Sequence, residues 1–385
     1  MSRLFIPLSE PNLKGNELKY VTDAIKTEWV STGGAYITEF ERNISDYLKV
    51  QDAVAVQSGT AGLHLALKEA GVGQGDLVIV PTLTFIAAVN PIKYLGAEPV
   101  FMDCDDTLCM DINKVEKFIE AQCKMVAGEL YHIESKQIIR AVVVVHVFGN
   151  LADMEHLLKL SNRYNIAIIE DATEALGTFD LDGRAAGNFG QFGVFSFNGN
   201  KIITTGGGGM VVSKDNIKLS HIKYLSTQAK DDALNYVHNE IGYNYRMTNV
   251  QAAIGVAQLE MLENFIKVKQ DNYNYYKQVL KDVDNLKILN FRPDIRPNYW
   301  FYSIQLMGYD IDEVISQLQK YKIQTRPIWR LIHEQLPYRH NIKFEIEKAP
   351  IYANSVINVP CSSNLTKLNI DYVCEKLIEI LRTAK

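Results

Sequence analysis

The chain has 385 residues, 47% hydrophobic, 22% charged and 10% aromatic, which excludes a disordered or low-complexity polypeptide and allows two or three domains at about 150 residues each. Forty-five acidic against 40 basic residues leave a net charge of −5, so no broad cationic surface is available to neutralise a phosphate backbone, and nucleic acid is not an expected partner. Five cysteines (Cys104, Cys109, Cys123, Cys361, Cys374) show neither CxxC pairs nor zinc-type Cys/His spacing, so reduced thiols and no metal are expected.

Residues 1–11 lack a basic stretch followed by an apolar core, and no apolar run approaches the ~18 residues of a membrane helix, which gives the expectation of a soluble, cytosolic protein. From Asn16, the residues Leu18, Val21 and Ile25 recur at helical spacing. After Asp52, short apolar runs alternate with longer amphipathic stretches. The predicted strands are residues 53–56, 77–80, 99–103, 141–147, 167–171, 193–197 and 210–213, several continuously apolar, as strands covered on both faces of a parallel sheet are. This alternation predicts an α/β architecture, whose ligands sit beyond the carboxyl ends of the strands. Residues 247–269 predict a long helix, after which Arg292-Pro293-Asp294 and Arg296-Pro297-Asn298 mark loops. A boundary near Phe265 is expected to separate a large α/β domain with an N-terminal helical segment, residues 1–265, from a smaller C-terminal α+β domain, residues 266–385. The latter carries a strand pattern at 299–307 and a closing amphipathic helix at 369–382.

Three features fall at predicted strand ends. Gln57-Ser58-Gly59-Thr60-Ala61-Gly62 joins a strand to a helix and presents backbone N–H groups and hydroxyls at a helix N-terminus, which suits an anion; the same turn also reads as a plain helix cap. Ile168-Ile169-Glu170-Asp171 ends an apolar strand in carboxylates, where Asp171 either meets a ligand or caps the next helix. Ser196-Phe197-Asn198-Gly199-Asn200-Lys201 precedes four glycines, Gly206 to Gly209, and its lysine is either solvated or held where its amine can condense with a carbonyl. A phosphate cradle, a strand-end carboxylate and a later lysine together suggest pyridoxal 5′-phosphate.

Through these residues the sequence resembles the sugar aminotransferases of the DegT/DnrJ/EryC1/StrS group. The matching stretches are 58–64, 81–87, Glu170-Asp171-Ala172, Ser196-Phe197 with Lys201, and Gly242-Tyr243-Asn244-Tyr245-Arg246-Met247. The resemblance implies an aspartate-aminotransferase-like fold (fold type I), with a large, mostly parallel sheet and a smaller α+β domain. It implies that Lys201 bonds the cofactor's aldehyde, that Asp171 pairs with its ring nitrogen and that Phe85 stacks on the ring. It further implies that Gly59, Thr60 and Ser196 hold the phosphate, that Glu174, at a position where glutamine is commoner, lies beside the ring oxygen, and that Asn244 reaches the phosphate of a neighbouring subunit in a homodimer. The opening 6–11, the loop 29–33 and the stretch 198–205 look most like the branches that make bacillosamine and legionaminic-acid precursors. That likeness implies transfer of the amino group of L-glutamate to C4 of a UDP-linked 4-keto-6-deoxy-N-acetylhexosamine, with Arg326, Trp329 and His333 near the nucleotide sugar.

Other readings are a different nucleotide-linked keto sugar (dTDP- or GDP-linked, or 3-keto), a pyridoxamine-phosphate-dependent sugar dehydratase, or a regulator of the same fold. Lys201 argues against the dehydratase, whose relatives carry histidine there. The regulator would need a basic helix or an appended domain, and neither is present. His146 and His64 read as hydrogen-bonded core histidines, and the 20 tyrosines as core and interface residues.

Overall fold

The computed structural model describes residues 5–232 and 234–383. Twelve strands form its two main sheets: β1 (Ala53–Val56), β2 (Leu77–Pro81), β3 (Glu98–Met102), β4 (Ile139–Val145), β5 (Ala167–Asp171), β6 (Phe192–Ser196), β7 (Gly209–Ser213), β8 (Leu286–Ile288), β9 (Tyr302–Leu306), β10 (Arg326–Pro327), β11 (Lys343–Phe344) and β12 (Val356–Val359). The first sheet has eight strands in the order β1-β7-β6-β5-β4-β2-β3-β11. All its pairings are parallel except those of β7, which runs antiparallel to both β1 and β6. Val142, Val143 and Val144 are fully buried, as are Ile79, Val80 and Val194; such continuous burial is what helix-covered parallel strands require.

All seven predicted strands are present, with ends shifted by at most two residues. The largest shift is at β4, which stops at Val145 and not at residue 147 because the chain turns sharply there. Phe148 takes φ +55 and Gly149 φ +94, conformations that pull the backbone out of the sheet.

The second sheet, β8-β9-β12-β10, is antiparallel; the helix Ile311–Lys320 packs on it, and the helix Lys367–Thr383 packs against that helix. The N-terminal segment is stitched onto this part of the molecule: Ile6 N donates to Lys322 O (2.8 Å), Gln324 N to Ile6 O (2.9 Å) and Cys361 N to Leu8 O (2.8 Å). Strand β11 crosses the other way and pairs with β3 at the edge of the large sheet.

One helix, Asn249–Leu280, runs from the large sheet to the small one. Thr248 caps it, and Gln251 bonds back to the Thr248 backbone. Position 265 lies inside this helix, so the chain passes between the two sheets along continuous helix rather than through a loop. The helix extends past the predicted end at 269 because Tyr273, Tyr276 and Leu280 keep a buried face in a stretch whose Asn, Tyr and Lys content weakens the helical signal. The helix Glu17–Lys26 inverts its apolar pattern: Glu17 and Ala24 point inward, while Leu18 (81% exposed), Ile25 and Trp29 just beyond it face outward. Among the described residues no helix is long and apolar enough to cross a membrane.

Candidate active site

The carboxyl ends of β1, β5 and β6 open onto a cleft of about 650 Å³ between the two sheets. At one wall the helix Gly59–Glu69 begins. Ser58 Oγ accepts from Ala61 N (3.1 Å), so Ser58 is the helix cap. Gly59 and Thr60 line the cleft with the first-turn N–H groups, the end of a helix that attracts anions. A Cβ on Gly59 would come within 3.0 Å of Ser196 Cβ and Thr173 Cγ2, so only glycine lets the helix approach Ser196 this closely.

Two adjacent carboxylates at the end of β5 have opposite surroundings. Glu170 is fully buried and saturated: its oxygens accept from the N–H groups of Gly187 (2.8 Å), Phe189 (2.6 Å) and Gly190 (2.6 Å), and face His146 Nε2 at 2.9 Å. Since Ala152 N donates to His146 Nδ1 (3.3 Å), that ring is a satisfied core histidine, as expected. Asp171, one residue on, takes hydrogen bonds only from Thr173 among the described residues, with Thr173 N at 3.1 Å. Burial pushes its carboxyl upward, against the opposing pull of Thr173 and Lys201. It therefore lines the cleft as a carboxylate short of partners, ready for a cationic N–H.

Lys201 sits on the turn after β6, its N–H bonded to Asn198 O (3.0 Å). Its Nζ lies 3.5 Å from Glu174 Oε1 and 4.2 Å from the centre of the Trp300 ring. Glu174 Oε2 accepts from Phe148 N (2.8 Å), and burial raises the Glu174 carboxyl to about 7 despite the nearby lysine.

Gly59, Thr60, Phe85, Asp171, Glu174, Ser196, Lys201, Arg326 and Trp329 thus share one cleft. Of the other expected residues, His333 does not join them, and Asn244, expected to serve a neighbouring subunit, lies outside this cleft. His333 is buried against Thr82, its Nδ1 2.6 Å from the Thr82 hydroxyl, so the structure does not bring it to the cleft where the sugar was expected. Asn244 is exposed on the outer surface and is not part of its own chain's cleft. His64 is buried, 3.3 Å from the Tyr245 hydroxyl, within a ring cluster of Tyr94, Tyr243 and Tyr245.

Sequence reasoning reached Trp329 but missed the rest of the aromatic wall beside the lysine. Phe148 packs on Trp329 (ring centres 4.7 Å apart), Phe301 (5.6 Å) and Trp300 (6.0 Å). The signal available was Phe148-Gly149 directly after an apolar strand; the contribution of Trp300 and Phe301 depends on how the second sheet docks, which no local pattern encodes.

N–H donors at a helix end, an underbonded carboxylate and an amine in one cleft fit pyridoxal 5′-phosphate. The profile of the DegT/DnrJ/EryC1/StrS aminotransferase family matches residues 11–378. The chain belongs to this family. It is similar to GDP-perosamine synthase of Caulobacter vibrioides (36% identical over 98% of each chain) and to that of Escherichia coli O157:H7 (37% identical, covering 97% of this chain and 98% of that one). Among solved structures, the aminotransferase TlmJ of Streptoalloteichus hindustanus superposes with a TM-score of 0.89 at 25% identity, over 99% of this chain and all of that one. This aminotransferase is therefore a pyridoxal-phosphate enzyme of fold type I that acts on nucleotide-linked sugars. The GDP-linked relatives run against the expectation of a UDP-linked substrate of the bacillosamine or legionaminic-acid branch.

Proposed function

We propose that this aminotransferase moves the amino group of L-glutamate to C4 of a GDP-linked 4-keto-6-deoxyhexose. The chemistry rests on one observation, the meeting of Lys201, Asp171 and the Gly59-Thr60 helix end in a single cleft; the preference for GDP over UDP rests on the two GDP-perosamine synthases. Bound pyridoxal phosphate supplies an aldehyde that carries the amino group and a ring that takes up the electron pair left when a proton departs from carbon.

The residues divide the remaining work. Gly59, Thr60 and Ser196 hold the phosphate, and Phe85 covers one ring face. Asp171 keeps a proton on the ring nitrogen through a charged hydrogen bond in a dry setting, where such a bond is strong. Lys201, with its amine free, would remove a proton at the substrate carbon and return it as general acid. Glu174, its carboxyl raised to about 7, lies 3.5 Å from Lys201 Nζ and would exchange a proton beside the ring oxygen. Arg326 and Trp329 meet the nucleotide sugar. Two copies associate through outward-facing Leu18, Ile25 and Trp29, and Asn244 serves the partner's cleft; the exposure of these residues on the single chain supports this reading.

The test is to incubate the protein with pyridoxal phosphate, L-glutamate and, in separate reactions, GDP-4-keto-6-deoxymannose and UDP-4-keto-6-deoxy-N-acetylglucosamine. Product is followed by mass spectrometry alongside Lys201→Ala. Amino sugar from the GDP substrate, absent in the variant, is the expected result. Amino sugar from the UDP substrate alone would return the assignment to the bacillosamine and legionaminic-acid branch.

A further inference from the structure

Trp300 is nearly buried, 3% exposed, yet its side chain reaches the cleft. Its backbone is fixed at both ends. Trp300 N donates to Asn298 Oδ1 (2.9 Å), and Trp300 O accepts from the buried Lys269 Nζ (3.0 Å). Asn298, itself fully buried, also donates through Nδ2 to Glu174 O and Leu176 O, both at 2.9 Å. One amide thus ties the Glu174 segment to Trp300, the two groups that flank Lys201 Nζ at 3.5 and 4.2 Å. The indole makes one further bond: Nε1 donates to Asn200 O at 2.8 Å, the carbonyl immediately before Lys201. Ser9 Oγ reaches the same carbonyl only at 3.5 Å.

Resting on the reading of Lys201 as the cofactor's lysine, we propose that Trp300 is a positioning residue for that lysine. Its N–H anchors the peptide from which Lys201 springs, and its ring face bounds the side chain so that Nζ points into the cleft. The turn 198–201 carries glycine at 199, and apart from the Trp300 bond and the long Ser9 contact its backbone hydrogen bonds among the described residues are local, Lys201 N to Asn198 O (3.0 Å) and Asn198 N to Ser196 Oγ (3.4 Å), so an external anchor decides where the amine stands. A planar ring also offers its negative face to Nζ whenever that nitrogen is charged.

The consequence is read in cofactor capture, in which Lys201 Nζ adds to the aldehyde carbon, a C=N bond forms and the aldehyde oxygen leaves as water. Cofactor-free protein is mixed with pyridoxal phosphate and the absorbance of the lysine-bound form is followed by stopped flow. Affinity for pyridoxamine phosphate, which has no aldehyde to bond, is measured separately by equilibrium dialysis. Trp300→Phe keeps a ring and loses the N–H, and slows capture roughly tenfold, the effect of one lost buried hydrogen bond. Trp300→Leu loses both and slows it further. Affinity for pyridoxamine phosphate stays within about twofold of wild type in both, because the phosphate cradle and Asp171 are untouched. Capture at the wild-type rate overturns the proposal, and so does a parallel loss of capture and of pyridoxamine phosphate affinity, which would make Trp300 part of the wall alone. If Trp300→Leu loses its fold by circular dichroism, Trp300→Phe decides the matter. A lysine-bound band that persists in Lys201→Ala would overturn the reading of Lys201, and this inference with it.

Discussion

Glu174 is the cleft carboxyl whose surroundings change its chemistry in the neutral pH range. A carboxyl that ionises near 4.3 in water is raised to about 7 by burial, with Lys201 pulling the other way. The folded chain therefore holds a proton that the unfolded chain releases between about pH 4 and 7, so this group's stabilising contribution is complete below the unfolded value and is lost as pH rises through 7. Glu174→Gln removes that dependence. In cofactor-free protein, denaturant titrations at pH 5 and pH 8 are expected to show the variant gaining about 3 kcal/mol on wild type between the two, since a tenfold change in proton affinity is worth about 1.4 kcal/mol. An unchanged difference would place the carboxyl's ionisation elsewhere. The resemblance picked out Asp171 over Glu170, but the residues alone did not show why: both end an apolar strand, and only the packing of residues 187–190 shows that one is fully hydrogen-bonded while the other faces the cleft.

At the scale of elements, the site depends on how closely one helix end approaches two strands. Gly59 sits against Ser196 and Thr173, and a Cβ on Gly209 would meet the Ser58 backbone at 2.6 Å. Gly59→Ala should weaken pyridoxal phosphate binding roughly 10- to 100-fold, since the helix end must withdraw from the anion by a few tenths of an ångström or more, and should cost about 1–3 kcal/mol in stability as an overpacked contact. Equilibrium dialysis and thermal melting read the two effects. The strands of the large sheet were legible because parallel, doubly covered strands are continuously apolar, and the Ser58-Gly59-Thr60 turn because helix caps use few residue types. The direction of β7 was not legible: Met210, Val211 and Val212 are as apolar as their parallel neighbours, and nothing in so short a strand reports which way it runs. The second sheet's contribution to the cleft was legible only as far as the resemblance extended, to Arg326 and Trp329. Trp300, Phe301 and Asn358 enter through docking between sheets.

At the scale of the whole molecule, Leu18 and Ile25 on the helix Glu17–Lys26, with Trp29 just beyond it, form an outward apolar set that a single chain leaves uncovered. Leu18, Ile25 and Trp29 are 81%, 58% and 61% exposed, and clustered exposed apolar side chains mark association surfaces. Sedimentation should give twice the chain mass for wild type, and Leu18→Glu with Trp29→Glu should move the mass toward that of one chain. Because the partner's Asn244 is proposed to complete each cleft, the same double variant should also lose pyridoxal phosphate affinity on dilution. A mass unchanged by both substitutions would remove this face from the interface.

The reversed strand β7 also sets a timetable. β1 pairs with no strand of the large sheet but β7, so the segment that delivers Ser58, Gly59 and Thr60 stays an unpaired ribbon until residues 209–213 have been made and have folded back. A nascent chain released at residue 205 would already contain the lysine, both strand-end carboxylates and the helix cap. It would still lack the strand that holds them at one end of one sheet, so a chain cut at residue 205 is expected to bind no cofactor by equilibrium dialysis.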